Sequence, residues 1–296
     1  MEFRNVRGLK SALPESAVAA AGVHIAPYDI RGVAPGTHLG LPSPTVTLIV
    51  DLRDGLVLTG PGLNRQTSFT CGIGELHVEA YTVHHDGNQV GVQLDLTPGA
   101  VRRLFGVPVG SLSSMQELDQ VDAALTSRLR DTLGDLPHAV RRQAASAIIA
   151  DHLTERDAAR SVDPDAVRTW QAILRSRGRV RVSSLVEESG WSARKLTGVF
   201  AAEFGMGPKQ AARLVRFDEA RRLLEAGRAP AHVAADLGYA DQAHLSREFA
   251  SFTGRAPTRF LADRRADGLT DSAHLDDARS PREGSERTLG ERMLAK

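Results

Sequence analysis

One sequence pattern occurs twice in the C-terminal third of the chain. The first copy, GWSARKLTGVFAAEFGMGP, starts at Gly190, and the second, GYADQAHLSREFASFTGRAP, starts at Gly238. These glycines are 48 residues apart, whereas the later Phe, Gly and Pro residues are 49 apart, so one residue was added in the turn. Repetition at a fixed spacing predicts that each copy is one supersecondary unit.

Each copy has the apolar spacing of two short helices joined at a glycine. Glycine readily adopts the left-handed conformation that ends a helix, and Asp241 is a favourable N-cap for the helix that follows Gly238. Apolar residues then recur at i, i+4 and i+7, which predicts one buried stripe. The predicted buried residues are Val233, Ala234, Leu237, Leu245, Phe249 and Phe252 in the second copy, and Leu185, Val186, Leu196, Val199 and Phe200 in the first. This is the helix-turn-helix pattern.

The opposite face of each second helix is small, polar or cationic. The second copy places Gln242, Ala243, Ser246 and Arg247 there, and the first copy places Arg194, Thr197 and Gly198 there. Such a face suits contact with a polar partner. The alternative is a solvated surface of a helical bundle.

Charge is divided unevenly along the chain. The net charge is +1, but residues 165–265 carry 18 Lys and Arg against 11 Asp and Glu, which gives +7. Residues 1–164 carry −4 and residues 266–296 carry −2. The segment that contains both copies is therefore basic, which is typical of a polyanion-binding domain and equally of a solvated arginine-rich helix surface, so charge alone does not decide between them.

The first half of the chain is predicted to be β-rich. Residues 23–96 contain β-branched and alternating segments, and two turn sequences, Arg53-Asp54-Gly55 and His85-Asp86-Gly87-Asn88, are predicted to close hairpins. Pro98 is predicted to open a short helix that ends near Gly106, and helices are expected over 117–133 and 137–157.

These patterns divide 296 residues into two domains. The predicted fold class is α+β, with a β-rich N-terminal domain over 1–157 and an all-α domain over 165–265. Residues 158–164 are the predicted linker, and residues 266–296 are a predicted disordered tail because they are polar and have few large apolar residues.

Several function classes lack their sequence signals. Cys71 is the single cysteine and is expected to be a small buried residue, so neither a disulfide nor a thiolate zinc site is expected. The histidines form no His-x-His motif, and no nucleotide-binding or Gly-x-Ser-x-Gly motif is present. We expect no metal, no cofactor and no enzymatic activity. Because the chain shows neither a signal peptide nor an apolar membrane span, a cytoplasmic protein is expected.

Residues 168–262 resemble the DNA-binding domain of the AraC/XylS family of transcription regulators. Three groups of residues match the family's pattern: Ser192, Arg194, Leu196, Phe200, Phe204, Gly205 and Pro208 in the first copy; residues 213–220, Leu223 and Leu224 in a central helix; and Gly238, Tyr239, Asp241, Leu245, Arg247, Phe249, Gly254 and Pro257 in the second copy. Gly198 departs from the pattern, since the family often has a basic residue there.

The resemblance implies two recognition helices held by one connecting helix, 209–225, which enter two successive major grooves about 34 Å apart. The candidate DNA-binding residues are Arg194, Lys195, Thr197, Gln242, Ala243, His244, Ser246 and Arg247. Arg194 and Arg247 have donor geometry for guanine and Gln242 for adenine, with Thr197 and Ser246 as lesser base contacts. Phosphate contacts or a solvated surface are the alternatives. Lys195 and His244 are expected to meet phosphate or water, as are Arg175, Arg177, Arg179, Arg181 and Arg255.

The resemblance also implies double-stranded DNA as partner and RNA polymerase as a further candidate partner. It further implies a β-rich sensing or dimerising N-terminal domain, which is often cupin-like in regulators of this kind. A homodimer is expected, with helices over 117–157 as its interface. Activity is expected to respond to a small-molecule effector or to a partner protein. The alternative from another class is an enzyme acting on a small molecule in the β-rich domain, with an accessory nucleic-acid-binding domain.

The basic segment generates the first prediction. Residues 165–265 alone should bind duplex DNA with an affinity that falls steeply as salt rises, because each neutralised phosphate releases counterions. Titrations at low and moderate salt measure the slope. Binding that does not weaken with salt contradicts the electrostatic part of this interpretation.

Overall fold

The computed structural model describes residues 15–155 and 162–266, and the β-rich region comes first in the chain. Within the described residues the strands are β1 (Val23–Ile30), β2 (Gly36–Gly40), β3 (Val46–Asp51), β4 (Leu56–Gly60), β5 (Leu63–Phe69), β6 (Cys71–Gly74), β7 (Tyr81–His85), β8 (Gln89–Leu96) and β9 (Met115–Glu117). Together with the helical second half, they confirm the predicted α+β fold class.

The strands form two antiparallel sheets. The larger sheet has the order β1-β8-β3-β6-β9, and the smaller has the order β2-β7-β4-β5. Leu48, Val92 and Leu94 of the larger sheet are fully buried, so this sheet supplies much of the core. Cys71 in β6 is also fully buried, as predicted. Burial raises the pKa of its thiol to about 12, so the thiolate form is strongly disfavoured.

The prediction of two hairpins is wrong. The turn after β3 leads from the larger sheet into the smaller one, and the turn after β7 leads back, so neither pair of flanking strands is hydrogen-bonded. The first turn itself forms, because the Asp51 carboxylate accepts the backbone N–H groups of Arg53 and Gly55 at 2.9 and 2.8 Å. Turn residues thus specify a local reversal, whereas strand pairing depends on packing across the whole domain.

Among the described residues, four α-helices accompany the sheets: α1 (Glu15–Ala20), α2 (Pro98–Phe105), α3 (Asp119–Leu133) and α4 (His138–Glu155). As predicted, α2 starts at Pro98 and ends at Gly106, which has a φ of +72°. The helix predicted from Glu117 begins later, because Glu117 lies in β9 and its carboxylate accepts the backbone N–H groups of Thr70 and Cys71. No described helix is long and apolar enough to cross a membrane.

The second half is helical, as predicted. Its helices are α5 (Pro164–Arg175), α6 (Val182–Ser189), α7 (Ala193–Phe204), α8 (Pro208–Glu225), α9 (Pro230–Asp236), α10 (Gln242–Thr253) and α11 (Pro257–Ala266). The two helix-turn-helix units are α6–α7 and α9–α10, and α8 is the predicted connecting helix. Most of the predicted linker and almost all of the predicted tail lie outside the described residues.

The two copies of the repeat also share backbone conformations. Three pairs of glycines with positive φ end equivalent helices or turns: Gly178 and Gly227, Gly190 and Gly238, and Gly205 and Gly254. The scaffold helices are equivalent too, since Trp170 of α5 stacks on Phe204 at 4.8 Å and Phe217 of α8 stacks on Phe252 at 4.4 Å between ring centroids. Each unit is therefore a scaffold helix followed by a helix-turn-helix.

Gly198 within α7 and Gly205, which ends this helix, should respond to alanine in opposite ways. A Cβ atom at Gly198, in mid-helix, meets nothing within 4 Å, whereas Gly205 has a φ of +77°. Gly198→Ala should therefore raise the free energy of unfolding by up to about 1 kcal/mol. Gly205→Ala should lower it by about 1 to 2 kcal/mol, because the left-handed conformation is strained for alanine. Denaturant unfolding of both variants measures the difference, and effects of the same sign contradict it.

Candidate nucleic-acid interface

Helix α10 buries one face and exposes the other. Leu245, Phe249 and Phe252 are at most 2% exposed, as predicted for the apolar stripe. Gln242, Ala243 and Arg247 are exposed, and His244 and Ser246 are partly buried. Asp241 caps the helix, and its carboxylate accepts the backbone N–H of His244 at 2.6 Å. The predicted site residues of this copy therefore lie on one short accessible helix.

Helix α7 has the same arrangement. Leu196 and Phe200 are fully buried, while Arg194, Lys195, Thr197 and Gly198 are exposed. Ser192 caps this helix by accepting the backbone N–H of Lys195. The open space beside Gly198 leaves a gap in the exposed face, so α7 offers fewer side chains than α10.

Two guanidinium groups on these faces have no ionic partner among the residues that the structure describes. Arg194 and Arg247 form no ion pair or hydrogen bond with another described residue, although most arginines of the helical half do. Their five N–H donors each remain available to an external acceptor.

The other basic residues differ in whether they already have a hydrogen-bonding partner within the described residues. Of the group expected to meet phosphate or water, Arg177 pairs with Glu219, Arg255 pairs with Asp263, and Arg179 donates to the backbone carbonyl of Asp236. These three arginines therefore have structural partners. Arg175 and Arg181 have none among the described residues.

Lys195 and His244 are also engaged. The Lys195 Nζ atom lies 3.9 Å from the centroid of the partly buried Trp191 ring, a cation–π contact. The His244 Nδ1 atom accepts the backbone N–H of Ala240 at 3.3 Å, and its ring lies edge-on to Tyr239 at 5.3 Å. Both side chains lie beside the exposed faces of α7 and α10, and each contacts an aromatic ring.

A buried carboxylate fixes α10 to the connecting helix. Glu248 is 8% exposed and accepts hydrogen bonds from Arg213 and from both the Nε and Nη2 atoms of Arg216, at 2.8 to 3.1 Å. Arg216 also lies over the Tyr239 ring, at 4.6 Å from its centroid. Burial, and then the nearby charge of Glu248, raises the pKa of the Tyr239 hydroxyl.

Sequence reasoning did not single out Glu248. The signal was present, because residue 248 falls on the buried arc between Leu245, Phe249 and Phe252, and a carboxylate at such a position requires cationic partners. The arginines of α8, one helix earlier in the chain, were the available candidates.

This geometry defines a class of protein with a paired helix-turn-helix domain. Residues 185–263 match the family model described as a helix-turn-helix domain. The match spans both copies, so this region is a helix-turn-helix domain of the AraC type, which confirms the resemblance. Such domains are DNA-binding modules, and the findings support a DNA-binding transcription regulator as the general class.

Solved structures of ToxT from Vibrio cholerae have a similar fold. An apo variant of ToxT gives a TM-score of 0.51 at 12% identity, covering 81% of this chain and 97% of that chain. A second ToxT structure gives 0.50 at 12% identity, with the same coverage of both chains. A form described as bound to unsaturated fatty acid gives 0.50 at 12% identity and covers 81% and 94%. A search of curated proteins finds no significant match.

The buried carboxylate of α10 generates a stability prediction. Glu248→Ala should lower the free energy of unfolding by about 3 kcal/mol, because it removes the partner of two arginines, one of them largely buried. Glu188→Ala, at an exposed glutamate without an ion pair in the described chain, is the matched control and should change it by less than about 0.5 kcal/mol. Equal effects in denaturant unfolding contradict the anchoring role.

Proposed function

We propose that this chain is a sequence-specific transcription regulator that reads two successive major grooves of DNA with α7 and α10. The observation that carries the proposal is the pair of equivalent helices. Each has a buried apolar stripe and an exposed face with an arginine that no other described residue pairs with. The +7 charge of residues 165–265 supports attraction to a polyanion.

Base recognition is assigned to the exposed faces. Arg194 and Arg247 are proposed to make bidentate contacts with guanine, and Gln242 with adenine, because these side chains match the donor and acceptor pattern of those bases in the major groove. Thr197, Ala243 and Ser246 complete the two faces. Lys195 and His244 are assigned to the phosphate backbone.

The second helix is proposed to dominate sequence discrimination. It presents Gln242, Ser246 and Arg247, whereas the α7 face has Arg194 and Thr197 beside the open space at Gly198. Each good base contact contributes about 1 to 3 kcal/mol of discrimination, so fewer side chains on α7 mean weaker base preference in its half of the site.

The N-terminal domain is proposed to sense or to dimerise. A ToxT structure with a similar fold is described as bound to unsaturated fatty acid, which supports a small-molecule effector here. A partner protein acting on this domain is the alternative. The same proposal includes a homodimer through α3 and α4, contact with RNA polymerase, and action on DNA in the cytoplasm. The domain boundaries 1–157, 158–164 and 165–265 are also part of the proposal. No feature of the described residues favours the alternative of an enzyme.

Selection from a pool of random duplex DNA tests the function directly. The purified full-length protein should enrich one sequence with two conserved segments about one helical turn apart. Enrichment of no sequence, under conditions where the protein is folded, contradicts sequence-specific recognition.

Arg247 and Lys195 should behave differently on the selected site. Arg247→Ala should relax preference at one base pair by about 1 to 3 kcal/mol, because a bidentate base contact is lost. Lys195→Ala should weaken binding to all sequences alike and lower the salt slope by about one unit, because a phosphate contact is lost. Competition titrations with single-base variants of the site measure both effects.

Arg65→Ala, which removes an exposed charge from β5, is the matched control and should change neither quantity. Circular dichroism should first show that all three variants are folded. If Arg247→Ala loses affinity equally for the selected site and for random DNA, Arg247 contacts phosphate and its assignment as a base reader is wrong.

A further inference from the structure

The N-terminal domain contacts the last turn of α7 through a buried ion pair. Arg102 of α2 donates from Nε to Oε1 of Glu203 at 2.9 Å and from Nη2 to Oε2 at 2.6 Å. The Arg102 side chain is 15% exposed and that of Glu203 is 8% exposed. Bidentate pairs of this kind are strong and directional, so they hold the orientation of the two elements as well as their distance.

A second contact lies on the same turn of α7. The 3₁₀ turn Val109–Ser111 packs so closely against it that a Cβ atom at Gly110 would lie 2.7 and 2.8 Å from the backbone carbonyl oxygens of Ala202 and Ala201. Carbon and carbonyl oxygen do not approach this closely, and helix backbone cannot yield cheaply. Only glycine therefore fits at position 110 while α7 keeps its present place.

The two reading helices receive their charged anchors from different domains. The buried carboxylate of α10, Glu248, is held by Arg213 and Arg216 of α8, within the helical half. The buried carboxylate of α7, Glu203, is held by Arg102 of the N-terminal domain. Contact between α10 and that domain includes a backbone hydrogen bond, from the Ala80 N–H to the Phe252 carbonyl at 3.0 Å.

We infer that Arg102 and Gly110 are positioning residues that set the orientation of the first reading helix on DNA. The inference rests on the proposed function and goes beyond it, because it assigns part of the base specificity to residues of the N-terminal domain. Removal of Arg102 leaves the Glu203 carboxylate buried and unpaired, so the last turn of α7 must move or open to water. Arg194 and Thr197 move with the helix, and base recognition is lost by displacements of about 1 Å.

The test compares base preference in the two halves of the selected DNA site, using the full-length protein. Arg194→Ala and Arg247→Ala first identify the base pairs that α7 and α10 read. Arg102→Ala and Gly110→Ala should then reduce preference about tenfold in the α7 half, the size of one lost base contact, and leave the α10 half unchanged. Arg102→Lys, which keeps the charge without the bidentate geometry, should recover part of the preference.

Two neighbouring substitutions are matched controls. Arg103→Ala removes an exposed arginine of α2 that has no partner among the described residues, and Gly99→Ala adds a Cβ atom with only a distant contact, at 4.0 Å. Neither should alter preference in either half. Equal losses in both halves for Arg102→Ala, or no loss, overturn the positioning role.

Hydrogen exchange of the free protein tests the same inference without DNA. Arg102→Ala should speed exchange of the α7 amides about tenfold and leave the α10 amides at the wild-type rate. Unchanged exchange in α7 overturns the inference. If the wild-type protein selects no DNA sequence, the proposed function fails, and the exchange result still decides whether Arg102 positions α7.

Discussion

Aromatic packing on one side of each of the helices α7 and α10 is the constraint on which the helical half depends. In the first unit, Trp170 of α5 stacks on Phe204 of α7, and in the second, Phe217 of α8 stacks on Phe252 of α10. Because these rings fix one face of each helix, the opposite face is left to solvent at a fixed orientation. The two helices can then present Arg194 and Arg247 from one rigid frame, in which α8 is the scaffold helix of the second unit and connects it to the first.

Buried ion pairs restrict the orientation of α7 and α10 further than aromatic packing does. Burial of their carboxylates is tolerated because Glu248 pairs with Arg213 and Arg216, and Glu203 pairs with Arg102, each with good geometry. Such pairs are directional, so they limit rotation of a helix that apolar contacts alone allow to slide. The source of the arginine differs, however, and this difference links the first reading helix to the N-terminal domain. Under the proposed function, a signal received by that domain would reach α7 through the Arg102–Glu203 pair.

The sequence predicted the helical half better than the sheets. Helix-period apolar spacing, Asp241 as cap and Gly190 and Gly238 as turns are local signals, and all are confirmed. The structure places the candidate site residues on or beside the exposed faces of α7 and α10, while their role in binding DNA stays a prediction. Strand pairing was mispredicted at Gly55 and Gly87, because turn residues carry no information about which sheet the next strand joins. The Arg102–Glu203 pair could not be predicted, because its residues are 101 positions apart and local patterns do not predict contacts at that separation.

Hydroxyl-radical footprinting of the full-length protein on its selected site tests the central claim most directly. Two reading helices on one frame should give, for each bound chain, two protected segments about 10 base pairs apart on the same face of the duplex, one helical turn from centre to centre. A single protected segment for each chain, or two segments on opposite faces of the duplex, contradicts the claim that α7 and α10 enter successive major grooves together.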